Sequence, residues 1–396
     1  MGKIGIYGGS FNPVHNGHVL AAREFVRIVG LDRLLVIPAG IPPHKVPDGT
    51  VADGFVRAEL LRLAMAQIPQ AVVDETELHR AGKSYTVDTL YSVRERFPDD
   101  EIYLLMGTDM FLSFLTWNRF DEILRLAALV VFRRDAYSCF DSRLCALADE
   151  LKRDHGAKIL FPDNSFAEIS STLVRRMLFF GCGSQYIPAA VFHRIEELGL
   201  YGVGEDLKGL SLDELKNAVM PLYDKRRFGH AVGCSETAVK LAGFYGADPV
   251  EAARAGMLHD ITKSLSEREQ LRLCEKYGII TDDYGGDQIK LLHGKTAAAA
   301  ARHIFDENAA VCESISWHTT GRADMTLLEK IIYLADYIEP NRDFDGVEQL
   351  RELAYSDLDA AVLKGLQMTI DHVIERNRTL NRHSVEARDY LALKGK

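Results

Sequence analysis

The deciding stretch is Lys3-Ile4-Gly5-Ile6-Tyr7-Gly8-Gly9-Ser10-Phe11-Asn12-Pro13-Val14-His15-Asn16-Gly17-His18, in which a short apolar run passes directly into two glycines. Glycine lets the backbone turn tightly and approach a ligand closely. His15 and His18 stand three positions apart at the predicted start of a helix, which places both imidazoles on one face. The free N–H groups and partial positive charge of a helix N-terminus favour anions. The stretch therefore predicts a strand, a turn and a helix that together form an anion site suited to a triphosphate.

Short apolar runs of the same kind recur through the first half of the chain, separated by helical stretches. They are Ile4–Tyr7, Leu34–Pro38, Ala71–Val73, Ile102–Met106, Leu129–Phe132 and Lys158–Phe161. Continuous, β-branched runs of this length are typical of strands buried on both faces of a parallel sheet. Their alternation with helices predicts a right-handed, doubly wound, Rossmann-like α/β domain whose ligands lie at the carboxyl ends of the strands.

The pattern changes after residue 202. Residues 203–210 are polar and glycine-rich, which indicates a linker, and Ser211-Leu212-Asp213-Glu214 is typical of a capping box at a helix start. Beyond it the apolar residues follow helical periodicity, as in Leu327-Leu328-x-x-Ile331-Ile332-x-x-Ala335. We therefore predict an α/β domain over residues 1–202, a linker over 203–210 and an all-α domain over 211–396.

Composition narrows the class of protein. The chain has 396 residues, a formal net charge of -10 and 47% hydrophobic residues, so we expect two or three folded domains. The acidic balance argues against a nucleic-acid coat protein or a basic membrane binder. No apolar stretch reaches the roughly 18 residues that span a bilayer, and six scattered cysteines favour a reducing compartment. We expect a cytoplasmic protein without nucleic-acid or membrane partners, and the sequence leaves a homo-oligomer open.

Further motifs follow the opening stretch in order. They are Pro42-Pro43-His44-Lys45, Ser84-Tyr85-Thr86-Val87-Asp88-Thr89-Leu90, Gly107-Thr108-Asp109 with Trp117, and Ile169-Ser170-Ser171-Thr172-x-x-Arg175. With Gly8–His18, this series resembles the signature of bacterial nicotinate-nucleotide adenylyltransferases over about residues 1–202. The resemblance implies transfer of the adenylyl group of ATP to nicotinate mononucleotide, with Mg²⁺ on the ATP phosphates held mainly by substrate oxygens.

This chemistry needs charge neutralisation and positioning more than a base, because the phosphate of the mononucleotide attacks ATP directly and pyrophosphate leaves. The candidate catalytic donors are His15, His18, Lys45 and Arg175. The resemblance places His18 at the triphosphate and the segment from Ser170 to Arg175 around ATP, and it places Thr86, Asp109 and Trp117 nearer the pyridine nucleotide. The candidate substrate-binding residues of this half are Gly8, Gly9, Ser10, Phe11, His44, Tyr85, Thr86, Gly107, Asp109, Trp117, Ser170, Ser171 and Thr172.

The second half contains histidines and aspartates at or beside apolar helical stretches, where unpaired polar groups would be costly to bury. They are His230, His259, Asp260, His293, His318 and Asp336. Four imidazoles and two carboxylates suit a pair of divalent transition metals. The order of these residues resembles that of HD-domain phosphohydrolases, and their context resembles symmetrical diadenosine tetraphosphate hydrolases. That resemblance implies a di-iron or similar centre bridged by Asp260, with Lys263 and Arg342 as candidate phosphate binders.

The leading hypothesis is thus a bifunctional enzyme that handles ATP, nicotinate mononucleotide and diadenosine tetraphosphate. Alternatives remain open on the sequence alone. The first half can prefer nicotinamide mononucleotide, or act as the related phosphopantetheine adenylyltransferases do, although the motifs at residues 42–45 and 85–90 argue against the latter. The second half can cleave another nucleotide, or serve as a nucleotide-binding regulatory module.

Overall fold

A computed structural model describes residues 2–41, 51–133, 142–281 and 284–394 of the chain. The chain divides into two compact units, Met1–Gly204 and Glu205–Lys396. Among the described residues, no helix has both the length and the apolar character needed to cross a membrane.

The first unit alternates strands and helices. The strands are β1 (Lys3–Gly9), β2 (Arg33–Pro38), β3 (Ala71–Val73), β4 (Glu101–Gly107), β5 (Ala128–Phe132) and β6 (Ile159–Leu160), and the helices are α1 (Asn16–Val29), α2 (Gly54–Met65), α3 (Thr86–Arg96), α4 (Thr108–Leu112), α5 (Phe120–Leu126), α6 (Ser142–His155), α7 (Ser171–Phe179) and α8 (Ala189–Leu198). Each of the six predicted runs contains a strand, although the last is reduced to Ile159–Leu160.

All six strands are parallel and stand in the order β3-β2-β1-β4-β5-β6. β1 lies in the centre, where Ile6 pairs with Leu35 on one side and Leu104 on the other. Ile6 is buried, as expected for a strand covered by helices on both faces. The predicted doubly wound α/β fold is confirmed. Because the chain reverses its direction of sheet growth between β1 and β4, a ligand crevice is expected at their carboxyl ends.

The second unit is helical. Its helices are α9 (Leu212–Val219), α10 (Lys225–Tyr245), α11 (Pro249–Leu258), α12 (Glu267–Tyr277), α13 (Leu292–Phe305), α14 (Ala309–Trp317), α15 (Leu327–Ile338), α16 (Val347–Ala354), α17 (Leu358–Glu375) and α18 (Arg382–Lys394). Residues 205–281 and 284–394 include no strand, so the predicted all-α class is confirmed. The predicted capping box also forms, since Ser211 and Glu214 each bond the other's main-chain N–H.

Close helix packing brings the polar residues of this unit inward. In α15 the predicted apolar stripe is buried at Leu328, Ile331 and Ile332, while Leu327 is exposed. α10 and α11 approach so closely that a Cβ on Gly256 would stand 2.7 Å from the Cα of Ser235. This contact, which only glycine permits, sets α11 against the helix that carries His230.

Candidate active sites

The first candidate site lies at the carboxyl end of β1, at the point predicted by the strand order. The loop after Gly9 leads into α1, whose N-cap is His15. Gly107 ends the neighbouring strand β4, and Asp109 follows in α4. A Cβ on Gly8 would meet no atom within 4 Å, so the strand end opens onto free space. These elements bring the predicted triphosphate loop and the Gly107–Asp109 motif to adjacent strand ends.

His15 and His18 cap one another. The His18 N–H donates to Nδ1 of His15 at 3.3 Å, and the His15 N–H donates to Nδ1 of His18 at 3.2 Å. The two rings stack with centroids 3.6 Å apart. Because each Nδ1 accepts, a neutral ring carries its proton on Nε2. Two main-chain N–H groups at the start of α1 are therefore bonded to imidazole nitrogens.

Phe11 packs against the His15–His18 pair. Its ring is only 1% exposed and lies edge-on to the His18 ring at 4.9 Å, so it packs against that imidazole. A Cβ on Gly9 would stand 3.0 Å from the Phe11 ring. The second glycine of the motif therefore makes room for the aromatic ring that holds His18 in place.

The start of α7 meets the same loop. Ser170 caps α7 by accepting from the Leu173 N–H, and Ser171 Oγ donates to the Pro13 carbonyl at 2.9 Å. Arg175 Nη1 donates to the Asn12 carbonyl at 2.6 Å. The Ser-Ser-Thr…Arg motif thus adjoins the loop after β1, although its sequence position is more than 150 residues away. Thr172 is exposed at the first turn of this helix.

The residues predicted for the pyridine nucleotide lie on other elements. Tyr85 is the N-cap of α3 and Thr86 its first residue, and Trp117 follows a short 3-10 turn. Tyr85 and Trp117 are partly exposed and pack against the same core cluster. The predictions for His44 and Lys45 lie outside the described residues.

The second candidate site lies inside the helical unit, where the structure brings together all six predicted metal ligands. His230 comes from α10, His259 and Asp260 from the end of α11, His293 from α13, His318 from the end of α14, and Asp336 from α15. None of these side chains is more than 14% exposed. Two overlapping groups have the geometry of metal ligands: His230, Cys234, His259 and Asp336, and His259, Asp260 and His318.

The carboxylate of Asp260 stands between two histidine pairs. Its Oδ1 lies 3.2 Å from Nε2 of His293 and 3.5 Å from Nε2 of His318. Its Oδ2 lies 3.7 Å from Nε2 of His259 and 3.9 Å from Nε2 of His230. One oxygen therefore faces each pair, which is the arrangement that a bridging carboxylate requires.

Hydrogen bonds fix the tautomers of these histidines. The Nδ1 atoms of His259, His293 and His318 lie 2.7, 2.6 and 2.7 Å from the main-chain carbonyls of residues 256, 290 and 315, which can only accept. Nδ1 of His230 lies 3.1 Å from the carboxylate of Glu339. Each Nδ1 is therefore the donor, and each Nε2 of a neutral ring presents a lone pair to the centre.

These lone pairs face one another. Nε2 of His230 lies 3.3 Å from Nε2 of His259, and Nε2 of His293 lies 3.2 Å from Nε2 of His318. Acceptors this close repel unless a cation stands among them, so the donor set fits divalent metal ions. Burial lowers the pKa of His259 to about 3, which keeps its lone pair free of a proton.

Two neighbours of the centre carried no assigned role in the sequence-based prediction. Glu339 is 1% exposed and orients His230, and it stands one helical turn after Asp336. Cys234 lies one turn after His230, with Sγ 3.6 Å from its Nε2. Lys263 and Arg342, predicted as phosphate binders, pair with the carboxylates of Asp260 and Asp336 respectively. Glu339 is the C-cap of α15, three residues after Asp336, and this position gave only a weak signal in the sequence.

Comparisons with known proteins agree with both halves. Residues 6–177 match the Cytidylyltransferase-like family and residues 227–341 match the HD domain. A probable nicotinate-nucleotide adenylyltransferase of Thermus thermophilus is 39% identical over 200 residues, which cover 50% of this chain and 99% of that protein. A Mycoplasma pneumoniae protein named probable nicotinate-nucleotide adenylyltransferase/Ap4A hydrolase is 26% identical over 375 residues, which cover 93% of this chain and 98% of that one.

A solved structure from Clostridium acetobutylicum, a predicted HD superfamily hydrolase involved in NAD metabolism, is 37% identical in sequence. It covers 47% of this chain and 98% of its own length, with a TM-score of 0.44.

The fold and the two sites define a nucleotidyltransferase domain joined to a helical HD domain with residues for divalent metal ions. The chain belongs to the nicotinate-nucleotide adenylyltransferase family through its N-terminal half, on identity that spans the full length of the relatives.

Proposed function

We propose that the N-terminal unit transfers the adenylyl group of ATP to nicotinate mononucleotide, which yields the deamido dinucleotide and pyrophosphate. The observation that carries this proposal is the His15–His18 pair, whose mutual capping directs two Nε2–H donors from the start of α1. Such donors suit a triphosphate, because negative charge grows on the leaving pyrophosphate during transfer. Mg²⁺ bound with ATP is expected to neutralise part of the same charge.

The residues of this proposed site have different roles in adenylyl transfer. His15 and His18, together with Lys45 and Arg175, are the proposed catalytic donors, and the two imidazoles are proposed to donate to the triphosphate. Arg175 is held beside the loop by its bond to the Asn12 carbonyl and carries a permanent positive charge. Trp117 offers a partly exposed aromatic face that suits the pyridine ring. No covalent intermediate on the protein is needed, because the mononucleotide phosphate is itself the nucleophile.

His18→Ala tests the adenylyl transfer. Removal of one preorganised donor is expected to lower kcat roughly a hundredfold or more. The assay follows formation of the deamido dinucleotide, while circular dichroism monitors the fold. His193→Ala is the matched control, because His193 lies in the same unit with a side chain 73% exposed. Near-normal turnover by the His18 variant would exclude the proposed role.

We propose further that the C-terminal unit hydrolyses diadenosine tetraphosphate symmetrically to two molecules of ADP. Its support is the placement of one Asp260 oxygen before each histidine pair. His230, His259 and Asp336 with one oxygen of Asp260 would hold one metal, and His293 and His318 with the other oxygen would hold the second. Two such ions, for which iron is the expected element, would lower the pKa of a bound water and stabilise charge on the attacked phosphate.

Lys263 and Arg342 are proposed to bind substrate phosphate at the rim of this centre. Their side chains are 32% and 39% exposed, whereas the metal ligands are buried. Both cations already pair with Asp260 and Asp336, so each can contact a polyphosphate that reaches the metals without leaving its place beside the ligands. Arg342 is further fixed by donating from Nε to the Asp336 carbonyl at 2.7 Å.

Elemental analysis and product analysis test the hydrolase together. The purified chain should carry close to two transition-metal ions, and the products of diadenosine tetraphosphate should be ADP alone, without ATP and AMP. His293→Ala should lose metal and activity, and His303→Ala, an exposed change on the same helix α13, should lose neither. Absence of metal together with absence of ADP would refute the assignment, and bound metal without cleavage would favour a regulatory module.

A further inference from the structure

A buried arginine stands behind the triphosphate loop. Arg57, on α2, is 3% exposed, and its guanidinium donates to three main-chain carbonyls. Nη1 reaches Ser10 O at 2.7 Å, Nη2 reaches Ala39 O at 2.8 Å and Nε reaches Ala52 O at 3.0 Å. Burial lowers the pKa of Arg57, so its charged form is held at a cost. Because one buried guanidinium bonds three separate segments, Arg57 fixes the position of the loop relative to the other two.

A tyrosine holds the next part of the same loop. Tyr201 donates its hydroxyl to Oδ1 of Asn12 at 2.7 Å, and the Ala52 N–H donates to the same oxygen at 3.1 Å. Tyr201 adopts a left-handed backbone conformation with φ 59°. That conformation costs a bulky residue about 1–3 kcal/mol and persists only where the surroundings determine it.

Three carbonyls of the loop accept hydrogen bonds from side chains of other segments. Ser10 O binds Arg57, Asn12 O binds Arg175 and Pro13 O binds Ser171. The loop then enters His15, so its path sets where the imidazole pair stands.

We infer that Arg57 and Tyr201 are positioning residues for the adenylyl transfer: through Ser10 and Asn12 they hold the loop that presents the histidine donors to the triphosphate. Arg57 belongs to none of the motifs that suggested the activity, whereas Tyr201 lies at the end of the region that carries the resemblance, three residues before the unit boundary at Gly204. The inference rests on the proposed function of the N-terminal unit. Displacement of a reacting group by about 1 Å costs as much as a hundredfold in rate, so loss of one anchor is expected to act on catalysis as well as on stability.

The first experiment removes only the hydroxyl, by Tyr201→Phe in the full chain. We expect kcat/KM for ATP to fall roughly tenfold while KM for the mononucleotide stays unchanged, because the loop holds the triphosphate. Tyr103→Phe is the matched control, since its hydroxyl bonds Glu101 at the amino end of β4, whereas the loop lies at the carboxyl end of β1. Unchanged kinetics with a lower melting temperature would show a merely structural role and overturn the inference.

A double-mutant cycle with Asn12→Ala tests the route of action. If Tyr201 acts through Asn12, the double variant loses no more kcat/KM than Asn12→Ala alone, whereas independent roles give multiplied losses. Arg57→Lys keeps the charge but not the three-way fork, so it should lower kcat/KM for ATP in the same manner. A multiplied loss in the cycle, or wild-type kinetics in Arg57→Lys, contradicts the inference.

A failure of the positioning inference can be told apart from a failure of the proposed adenylyl transfer. If the wild-type chain forms no dinucleotide, calorimetric affinity for a non-cleavable ATP analogue replaces turnover as the readout. Weaker binding by Tyr201→Phe than by Tyr103→Phe supports the positioning role even then, and equal binding overturns it.

Discussion

Gly233→Ala should disturb the metal centre although Gly233 bears no ligand atom. Gly233 lies in α10, one turn after His230, where a Cβ would stand 2.4 Å from Oε2 of Glu339. Glu339 is 1% exposed and bonds Nδ1 of His230 at 3.1 Å and the Asn341 N–H at 2.8 Å. An added methyl group therefore collides with the carboxylate that orients a metal ligand.

The size of the effect follows from these distances. Ordinary contact begins near 3.4 Å, so the Glu339 carboxylate has to retreat by about 1 Å. A shift of this size breaks its bond to His230, and loss of such a supporting partner typically weakens metal binding about 10–100-fold. That loss equals about 1.4–2.8 kcal/mol. Replacement of glycine by alanine within a helix otherwise stabilises by roughly 0.5–1 kcal/mol.

The assay is competitive metal titration of the purified chain against a chelator of known affinity. Gly243→Ala is the matched control, because it lies in the same helix and its added Cβ meets no atom within 4 Å. The control should bind metal as the wild type does and melt slightly higher. If Gly233→Ala binds metal as tightly as the control, Glu339 does not support the centre and the geometric reasoning is wrong.

Two further outcomes are expected. In calorimetry of the full chain, chelation should lower only the melting temperature of the HD unit, by about 8–16 °C. Metal at a thousandfold excess over Kd contributes about 4 kcal/mol, and the melting temperature of a domain of this size shifts by about 2–4 °C per kcal/mol. If neither melting transition moves on chelation, the metal does not stabilise the HD unit. Burial raises the pKa of Glu77 above 4.5, because the folded state favours the protonated carboxyl group. The protonated form therefore contributes stability at low pH, and that contribution is lost as the pH rises and Glu77 ionises. Glu77→Gln should therefore stabilise in urea unfolding at pH 7 but not near pH 4, and an equal gain at both would refute this sign.

The parts of the fold that could be predicted well are those whose signal lies within a few consecutive residues of the sequence. β-Branched runs such as Leu34–Pro38 are typical of strands buried on both faces of a parallel sheet, and each predicted run contained a strand. Ser211 and Glu214 form their cap within four residues, so the signal and the structure share one turn. The edge strand was predicted too long because Leu160 and Phe161 are half-exposed there, and hydrophobicity alone does not reveal where pairing stops.

The parts that escaped prediction depend on contacts between distant segments. Arg57 lies 47 residues from Ser10 and Tyr201 lies 189 residues from Asn12, so no spacing rule connects them. The candidate metal ligands could be predicted from the sequence, because histidines and aspartates in buried positions need polar or charged partners. Glu339 has the same burial but was hidden among ordinary surface-type residues of its segment, since glutamate at a helix end usually faces solvent.

In the two proposed sites histidine presents opposite polarity, and for three of the histidines the polarity of the helix end explains the difference. His15 is the N-cap of α1, where main-chain N–H groups donate to Nδ1 of His15 and His18, so that a neutral ring carries its proton on Nε2. His259 and His318 are the C-caps of α11 and α14, where carbonyls accept from Nδ1 and leave Nε2 lone pairs for a cation. Helix starts expose donors and helix ends expose acceptors, so the backbone selects the tautomer and the tautomer selects the ligand. His293 stands at the start of α13, yet its Nδ1 bonds the Lys290 carbonyl of the preceding 3-10 helix Gly286–Leu291. The main-chain group beside Nδ1, and not the helix boundary by itself, therefore decides which ring nitrogen carries the proton.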